Sequence, residues 1–358
     1  MAGALLSRRM LLTGAAVASA AFGAGLFLGS RALRESAAPL LDGVMPLPNP
    51  AGAGARLPRL SAHPLGGFVM SWVEPAGSGH VLRCARFARG IWSPTVEVAR
   101  GDDWFINWID FPSVVPITPE FWIAHWLVRR PGGRRYDYDI ALALSDDGGQ
   151  RWRSGPRPYA TSSAAEYGFV SIFADGDSAG IVWLDGRDYV PPAQRQSHPG
   201  KSGNFALRGT RVARDGQVEP DRVLDGNVCT CCQTASAVTA AGPLVAYRGR
   251  TDAEIRDNRV VRRAAGRWSA PAPLGDEGWV IAACPTNGPA LAARGTAVLA
   301  VWFTAAGNAP CVRAAWSTDA AASWRSPIEL DVAAPLGRVA AAFVDEAQAA
   351  VSWIGAPS

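Results

Sequence analysis

Lysine is nearly missing from this chain. Of its 35 basic residues only Lys201 is a lysine, and the arginines are scattered. No basic stripe forms, which excludes a nucleic-acid-binding surface. Histidine is equally scarce, with four in 358 residues. His63, His80, His125 and His198 show no ligand spacing, so neither a histidine metal centre nor a Ser-His-Asp relay is readable. His63 and His198 precede Pro and are expected in solvated loops, and His125 is expected inside a strand. Charged residues make up only 18% and the net charge is +4, against 48% hydrophobic residues. That balance excludes disorder as the global state. Helical periodicity of any length is also missing. What the chain has in quantity is 38 Gly, 27 Pro and 14 Trp, the composition of many short strands joined by tight turns.

The first residues read as an address. Ser7-Arg8-Arg9-Met10-Leu11-Leu12 resembles a twin-arginine export signal. An uncharged stretch from Met10 to Ser30 follows, long enough to span a bilayer but only mildly apolar. Ala18-Ser19-Ala20 and Ser36-Ala37-Ala38 are imperfect cleavage sites, so either a removed leader or a retained membrane tether fits residues 1–38. The expected location is the periplasm or cell envelope. Residues 39–57 are rich in Pro, Gly and Ala and read as a linker or a closing strand. Residues 58–358 are left for the folded unit.

A repeat fills that unit. An apolar strand ending in an aromatic occurs six times: Phe68 to Trp72, Phe121 to Trp126, Gly180 to Trp183, Leu244 to Tyr247, Ala297 to Trp302 and Ala349 to Trp353. The spacing of roughly fifty to sixty residues suits propeller blades. Two copies are followed by a Ser-x-Asp turn closed by Trp, Ser145 to Trp152 and Ser317 to Trp324. Ser and Asp side chains can bond the turn backbone, and Gly can take a conformation other residues avoid. The expected fold is all-β, a six-bladed propeller of four-stranded blades. The chain ends just after the second strand of the sixth copy, so the last blade is incomplete or closed by the N-terminal segment.

In that register, the links from one blade to the next and the loops between second and third strands share one face. They carry Asp102, Asp103, Asn107 and Asp110, then Glu166, Asp185 and Arg187, then Arg248, Arg250, Glu254 and Asn287. Trp104, Trp108 and Phe111 could stack on a sugar ring or pack between blades. Asp185, Arg187 and Asp188 fit a loop-bracing ion-pair network as well as a site. Cys229, Cys231, Cys232 and Cys284 should gather at one mouth of the channel. They fit either disulfides pinning adjacent blades or a soft-metal site for copper or zinc. Cys84 and Cys311 fall in strands and read as packing residues.

The chain after the leader resembles the bacterial exported Asp-box (BNR-repeat) proteins of the sialidase-like superfamily, commonly labelled exo-α-sialidase. The segments that carry this are Gly101 to Ser113, Glu166 to Phe173, Trp183 to Arg187, Val228 to Thr234, Tyr247 to Asp257 and Cys284 to Pro289. The resemblance implies a glycoside hydrolase or a glycan-binding relative, acting on a glycan or another anionic small substrate at the axial face and needing no cofactor. It implies an acid/base Asp at Asp102 or Asp103, with Glu166 and Glu254 as further carboxylates. A binding arginine at Arg56, in Arg56-Leu57-Pro58, joins Arg187, Arg248 and Arg250. The sequence departs from the sialidase pattern at the nucleophile, since no Tyr follows Tyr247. The cysteine cluster has no part in sialidase chemistry. A metal or redox site and a non-catalytic interaction scaffold are the competing readings.

Overall fold

The structure, a computed structural model, describes residues 2–7, 46–190 and 203–356. The twin-arginine pair, the apolar stretch after it and His198 lie outside the described residues. No helix among the described residues is long and apolar enough to cross a membrane.

The described chain is all-β and forms six antiparallel sheets in sequence order. The first joins Arg56–Ala62, Phe68–Ala76 and Gly79–Ala88 to a split outer strand, Ile91–Trp92 and Val96–Gly101. The second holds Ser113–Pro116, Trp122–Arg129, Tyr138–Ser145 and Arg153–Ser154. The third holds Tyr167–Asp175, Ser178–Asp185, Phe205–Val212 and Arg222–Val228. The fourth runs from Ala235–Thr239 through Gly242–Arg248 to Asn258–Ala264, and the fifth from Ala290–Arg294 through Ala297–Thr304 and Cys311–Ser317 to Ile328–Asp331.

The sixth sheet pairs Gly337–Phe343 with Gln348–Ile354, and its third strand is Ala2–Ser7. Residues 39–57 were expected to be a linker or a closing strand, with an incomplete last blade as the alternative. Instead, residues 46–55 form no strand, and the strand that starts at Arg56 opens the first sheet. Ala2–Ser7, within the stretch set aside as a leader, is the segment that extends the sixth sheet.

The first strands of successive sheets pack on one another in chain order, from Arg56–Ala62 through Ser113–Pro116, Tyr167–Asp175, Ala235–Thr239 and Ala290–Arg294 to Gly337–Phe343. The second to fifth sheets are therefore covered on both faces by their neighbours. That explains the second strands, which read as continuous apolar runs rather than alternations. Ala297–Thr304 is buried at every position. The repeated aromatic is part of this packing: Trp72, Trp183, Trp302 and Tyr247 are each at most 1% exposed. Removing a side chain of that size typically costs about 3–5 kcal/mol.

The Ser-x-Asp turns hold the opposite edge of the array. Ser145 Oγ donates to Asp147 and accepts from the Gly149 amide at 2.9 Å, and Asp147 accepts the Gln150 and Arg151 amides. The Arg151 guanidinium, donating to Asp147 at 2.7 Å, and then these bonds hold the carboxyl at about 2. Gly149 has φ +83°, and a Cβ there would strike the Trp122 ring. The Ser317 turn repeats the bonding with Ala321 at φ +62° in the glycine's place, a conformation that costs a non-glycine residue.

Candidate functional site

Links between sheets, far apart in sequence, meet at one end of the array. Gln233, after the third sheet, donates its Nε2–H to the Ile109 carbonyl at 2.6 Å, 124 residues away. Its Oε1 accepts the Gly288 amide at 3.4 Å. Asn287 accepts the Arg338 amide at 2.9 Å and donates to the Leu336 carbonyl. Residues 102–112, 229–234 and 275–289 and the start of the sixth sheet thus form one rim. Its backbone donors and acceptors are satisfied between links, as buried loops require.

Two acids share this rim with a tyrosine. Asp110 is 2% exposed and accepts the Phe169 amide at 2.8 Å. Gly168 makes that approach possible, because a Cβ there would collide with the Asp110 carboxylate. Tyr138, from the third strand of the second sheet, donates to Glu166 Oε1 at 2.9 Å and lies 3.4 Å from Asp110 Oδ2. Burial pushes the Asp110 carboxyl up to about 7 and the half-buried Glu166 carboxyl up to about 8. Two carboxylates flanking one phenol disfavour full ionisation, so at neutral pH Glu166 is a proton donor. The Tyr138 phenol is raised as well, by burial and then by the two acids. Its ring stacks on Phe105 at 4.2 Å and is 1% exposed, so it holds the acids rather than meeting a ligand.

An aromatic and two cations flank the acids. Trp108 is 65% exposed, and the Arg338 guanidinium lies over its ring at 4.6 Å. Arg338 also donates to the Thr286 carbonyl. Arg59 lies 5.5 Å from the centre of the Phe111 ring. Among the described residues neither Arg59 nor Arg338 has a carboxylate partner. Burial lowers the pKa of both. The binding arginine of the first strand was expected at Arg56, which is exposed. Leu57 at φ +56° and a register irregularity between Arg56 and Arg59 turn the strand, and Arg59 takes the half-buried position instead.

The cysteines do gather. Cys229, Cys231 and Cys232 are buried with their sulfurs within 4.8 Å of one another. Cys284 is exposed at the rim and reaches Cys231 with its thiol. All six cysteines are free. Arg256 donates to Cys229 Sγ at 3.3 Å. Hydrogen bonds from Cys231 and Cys232, with Arg256, hold the Cys229 thiol well below its usual range, and Cys284 falls to about 6 through its bond with Cys231. Burial pushes Cys232 up to about 12.

Other expected site residues serve the loops. Asp185 is buried and ion-paired with Arg187 at 2.6 Å, and it also accepts the Trp183 indole N–H at 2.7 Å. Arg187 pairs further with Asp221, so this group is the brace and not a free binding set. Glu254 is held between Arg250 and Arg256, which keep its carboxyl lowered and ionised rather than ready to give a proton. Arg248 is 1% exposed and, among the described residues, donates to the carbonyls of Asn287, Arg256 and Phe303, so it is spent inside the fold. Asn107 caps its own loop by accepting the Ile109 amide. Asp102 and Asp103 are exposed. Tyr247 is buried and donates to Asp225 at 2.8 Å.

His63, expected in solvent, is 5% exposed and packs edge-on against Trp122 at 5.5 Å. His125 accepts or donates a 2.9 Å bond with Ser113, and burial pushes its imidazole down to about 3. Cys84 is buried and raised to about 12, the behaviour of a packing thiol.

Tyr138, Arg59 and Arg338 escaped the sequence reading. Tyr138 lies inside a strand, where nothing local marks it. Arg338 follows Gly337 at the start of an inner strand, and counting link positions in the sixth repeat would have found it. A cleft of about 430 Å³ lies away from these groups, lined by Glu277, Thr304, Cys311, Arg313 and Glu329 among others.

No protein-family model matches the chain, and no curated protein matches it. Solved structures with a similar arrangement include a Hadza microbial sialidase at 13% identity and TM-score 0.47, covering 84% of this chain. This chain spans 63% of that sialidase's length. AofleA from Arthrobotrys oligospora is similar at 11% identity and TM-score 0.47, over 83% of this chain and 79% of that one. The GH93 α-L-arabinofuranosidase of Fusarium graminearum, solved with arabinobiose, is similar at 11% identity and TM-score 0.44, over 70% and 72%.

Proposed function

We propose that the chain is an exported six-bladed propeller of the sialidase-like kind, taking an anionic saccharide at the rim where the links meet. The observation that carries this is the exposed Trp108 ring lying against the Arg338 guanidinium, with Arg59 and Phe111 on the neighbouring strand and link. An exposed indole offers an apolar face for a sugar ring. A guanidinium without a carboxylate partner is a planar, always-charged fork for a sugar carboxylate or sulfate. Half-buried cations left unpaired are costly in the free protein, and an anionic ligand relieves that cost.

Glu166 supplies the chemistry if the ligand is cleaved. Protonated at neutral pH, it is suited to give a proton to a leaving glycosidic oxygen. Tyr138 positions it, and burial with the nearby Asp110 carboxylate keeps it neutral. Asp102 and Asp103 stand at the solvent side of the same rim as candidate second carboxylates.

Purified protein on an array of acidic and neutral glycans, followed by a panel of fluorogenic glycosides, tests the reading. Binding of acidic glycans that is lost in Trp108→Ala supports it. Aglycone release that stops in Glu166→Gln makes the protein a glycosidase, and binding without release makes it a lectin-like receptor. A folded protein that binds no acidic glycan overturns it.

A further inference from the structure

The cysteine cluster lies beside this rim and has no part in glycan recognition. We propose that Cys229, Cys231 and Cys232, with Cys284 as the outer ligand, bind one thiophilic d10 metal ion, Cu(I) or Zn(II).

The sulfur geometry is the first ground. Cys229 Sγ lies 3.7 Å from Cys231 Sγ and 3.7 Å from Cys232 Sγ. Two thiolates on one tetrahedral ion with metal–sulfur bonds of 2.3 Å are separated by about 3.8 Å. The thiols are thus already spaced as ligands of a single ion. Cys229 and Cys232 have two residues between them, the chelate spacing of many thiolate metal sites. Soft sulfur donors select Cu(I) and Zn(II) over oxygen-seeking ions such as Mg²⁺ or Ca²⁺.

The surrounding charge is the second ground, and it is independent of the first. Arg248, Arg250, Arg256 and Arg338 lie around the cluster and its links. Among the described residues they share one carboxylate, Glu254, which pairs with Arg250 and Arg256. Arg248, at 1% exposed, is met only by carbonyls and by the Trp279 ring at 4.9 Å. A buried guanidinium without a counter-charge is costly. Three thiolates with Cu(I), or four with Zn(II), carry a net charge of −2, which supplies the missing anion. Apolar packing by Ile109, Phe169, Phe205 and Val228 shields the inner sulfurs, while the exposed Cys284 leaves an entry from the rim. Loading exchanges thiol protons for the metal, with no change in oxidation state.

Full-length protein, reduced and freed of metal, is titrated with Cu(I) against a colorimetric Cu(I) chelator and, in a second arm, with Zn(II) against a chromogenic Zn(II) chelator. The expected result is one equivalent bound tightly in at least one arm, with a tenfold or greater loss of affinity in Cys232→Ser and none in Cys311→Ser. The arm that binds more tightly names the ion. Because Cys232→Ser can fail to fold, the unaltered chain is also loaded with Co(II), whose visible bands report the number of thiolates. Three or four thiolates support the site. No binding above the background of denatured protein overturns it, as does a disulfide among these four cysteines in the exported protein, found by mass spectrometry. None of these readouts involves a glycan, so failure of one proposal leaves the other standing.

Discussion

Charged residues on the rim face fall into two groups that look alike in sequence. In the loops between second and third strands, arginines and acids come in matched sets: Asp185 with Arg187, and Glu254 with Arg250 and Arg256. In the links between sheets and the inner strands they do not. Arg59 and Arg338 have aromatic neighbours and no carboxylate partner among the described residues, and Asp110 and Glu166 crowd each other across Tyr138. Matched charges brace a loop and offer nothing to a ligand. Unmatched charges held by rigid strands are what a ligand can complete. A count of arginines and acids on a face does not separate the two. Their partners do.

The largest effect should come from breaking a matched set. Asp185→Ala leaves the Trp183 indole N–H without its buried acceptor and removes one carboxylate from Arg187, which keeps Asp221. Removing one partner of a buried pair typically costs about 3–5 kcal/mol. Chemical denaturation should show that loss, while any folded fraction keeps its glycan affinity. Lost affinity in folded protein would put Asp185 in the site.

Trp108→Ala should do the reverse. The exposed ring contributes little to folding, so stability should stay within about 0.5 kcal/mol. Glycan affinity should fall about tenfold or more, equivalent to about 1.4 kcal/mol, read by calorimetric titration.

The crowded acids make stability depend on pH. Asp110 and Glu166 have folded-state values of about 7 and about 8, raised above the ordinary carboxyl range. In the unfolded chain both ionise near pH 4, so between there and pH 8 the folded state holds more protons. Stability from these groups is complete below the unfolded values and is lost as pH rises through 7 and 8. Asp147 and Asp319 act oppositely. Both are held near 2, and their contribution is lost as pH falls below 4 toward 2. The melting temperature followed from pH 3 to 9 should peak near pH 4, and Glu166→Gln should flatten the alkaline limb. An alkaline limb unchanged in Glu166→Gln would show that Glu166 does not cause it.

The smallest effect is expected at Asp102 and Asp103. Both are exposed, and each Asp→Asn change should alter stability by no more than about 0.5 kcal/mol. Hydrolysis lost in one of them, with binding kept, would make it the second carboxylate.

The repeated aromatic at the end of each second strand was legible because packing imposes the same demand in every sheet. Trp183 and Trp302 meet it in the same way. The meeting of the cysteines followed from the repeat, since equivalent links sit side by side. Arg59 was not legible, because the turn at Leu57 shifts the strand by a position that residue types do not announce. Tyr138 was hidden for a different reason. Its role comes from acids 28 residues away on either side, and distance along the chain carries no sign of that meeting. Closure of the sixth sheet was left between residues 39–57, rich in Pro and Gly, and an incomplete last blade, while Ala2–Ser7 was set aside with the leader.

The most direct test uses one acidic oligosaccharide that binds, and the same oligosaccharide with its carboxylate reduced to an alcohol. Calorimetric titration of both into the unaltered protein and into Arg338→Gln measures what the unmatched cation contributes. The account predicts at least tenfold weaker binding of the reduced sugar, and a much smaller difference in Arg338→Gln. Equal affinity for both sugars in the unaltered protein would contradict it.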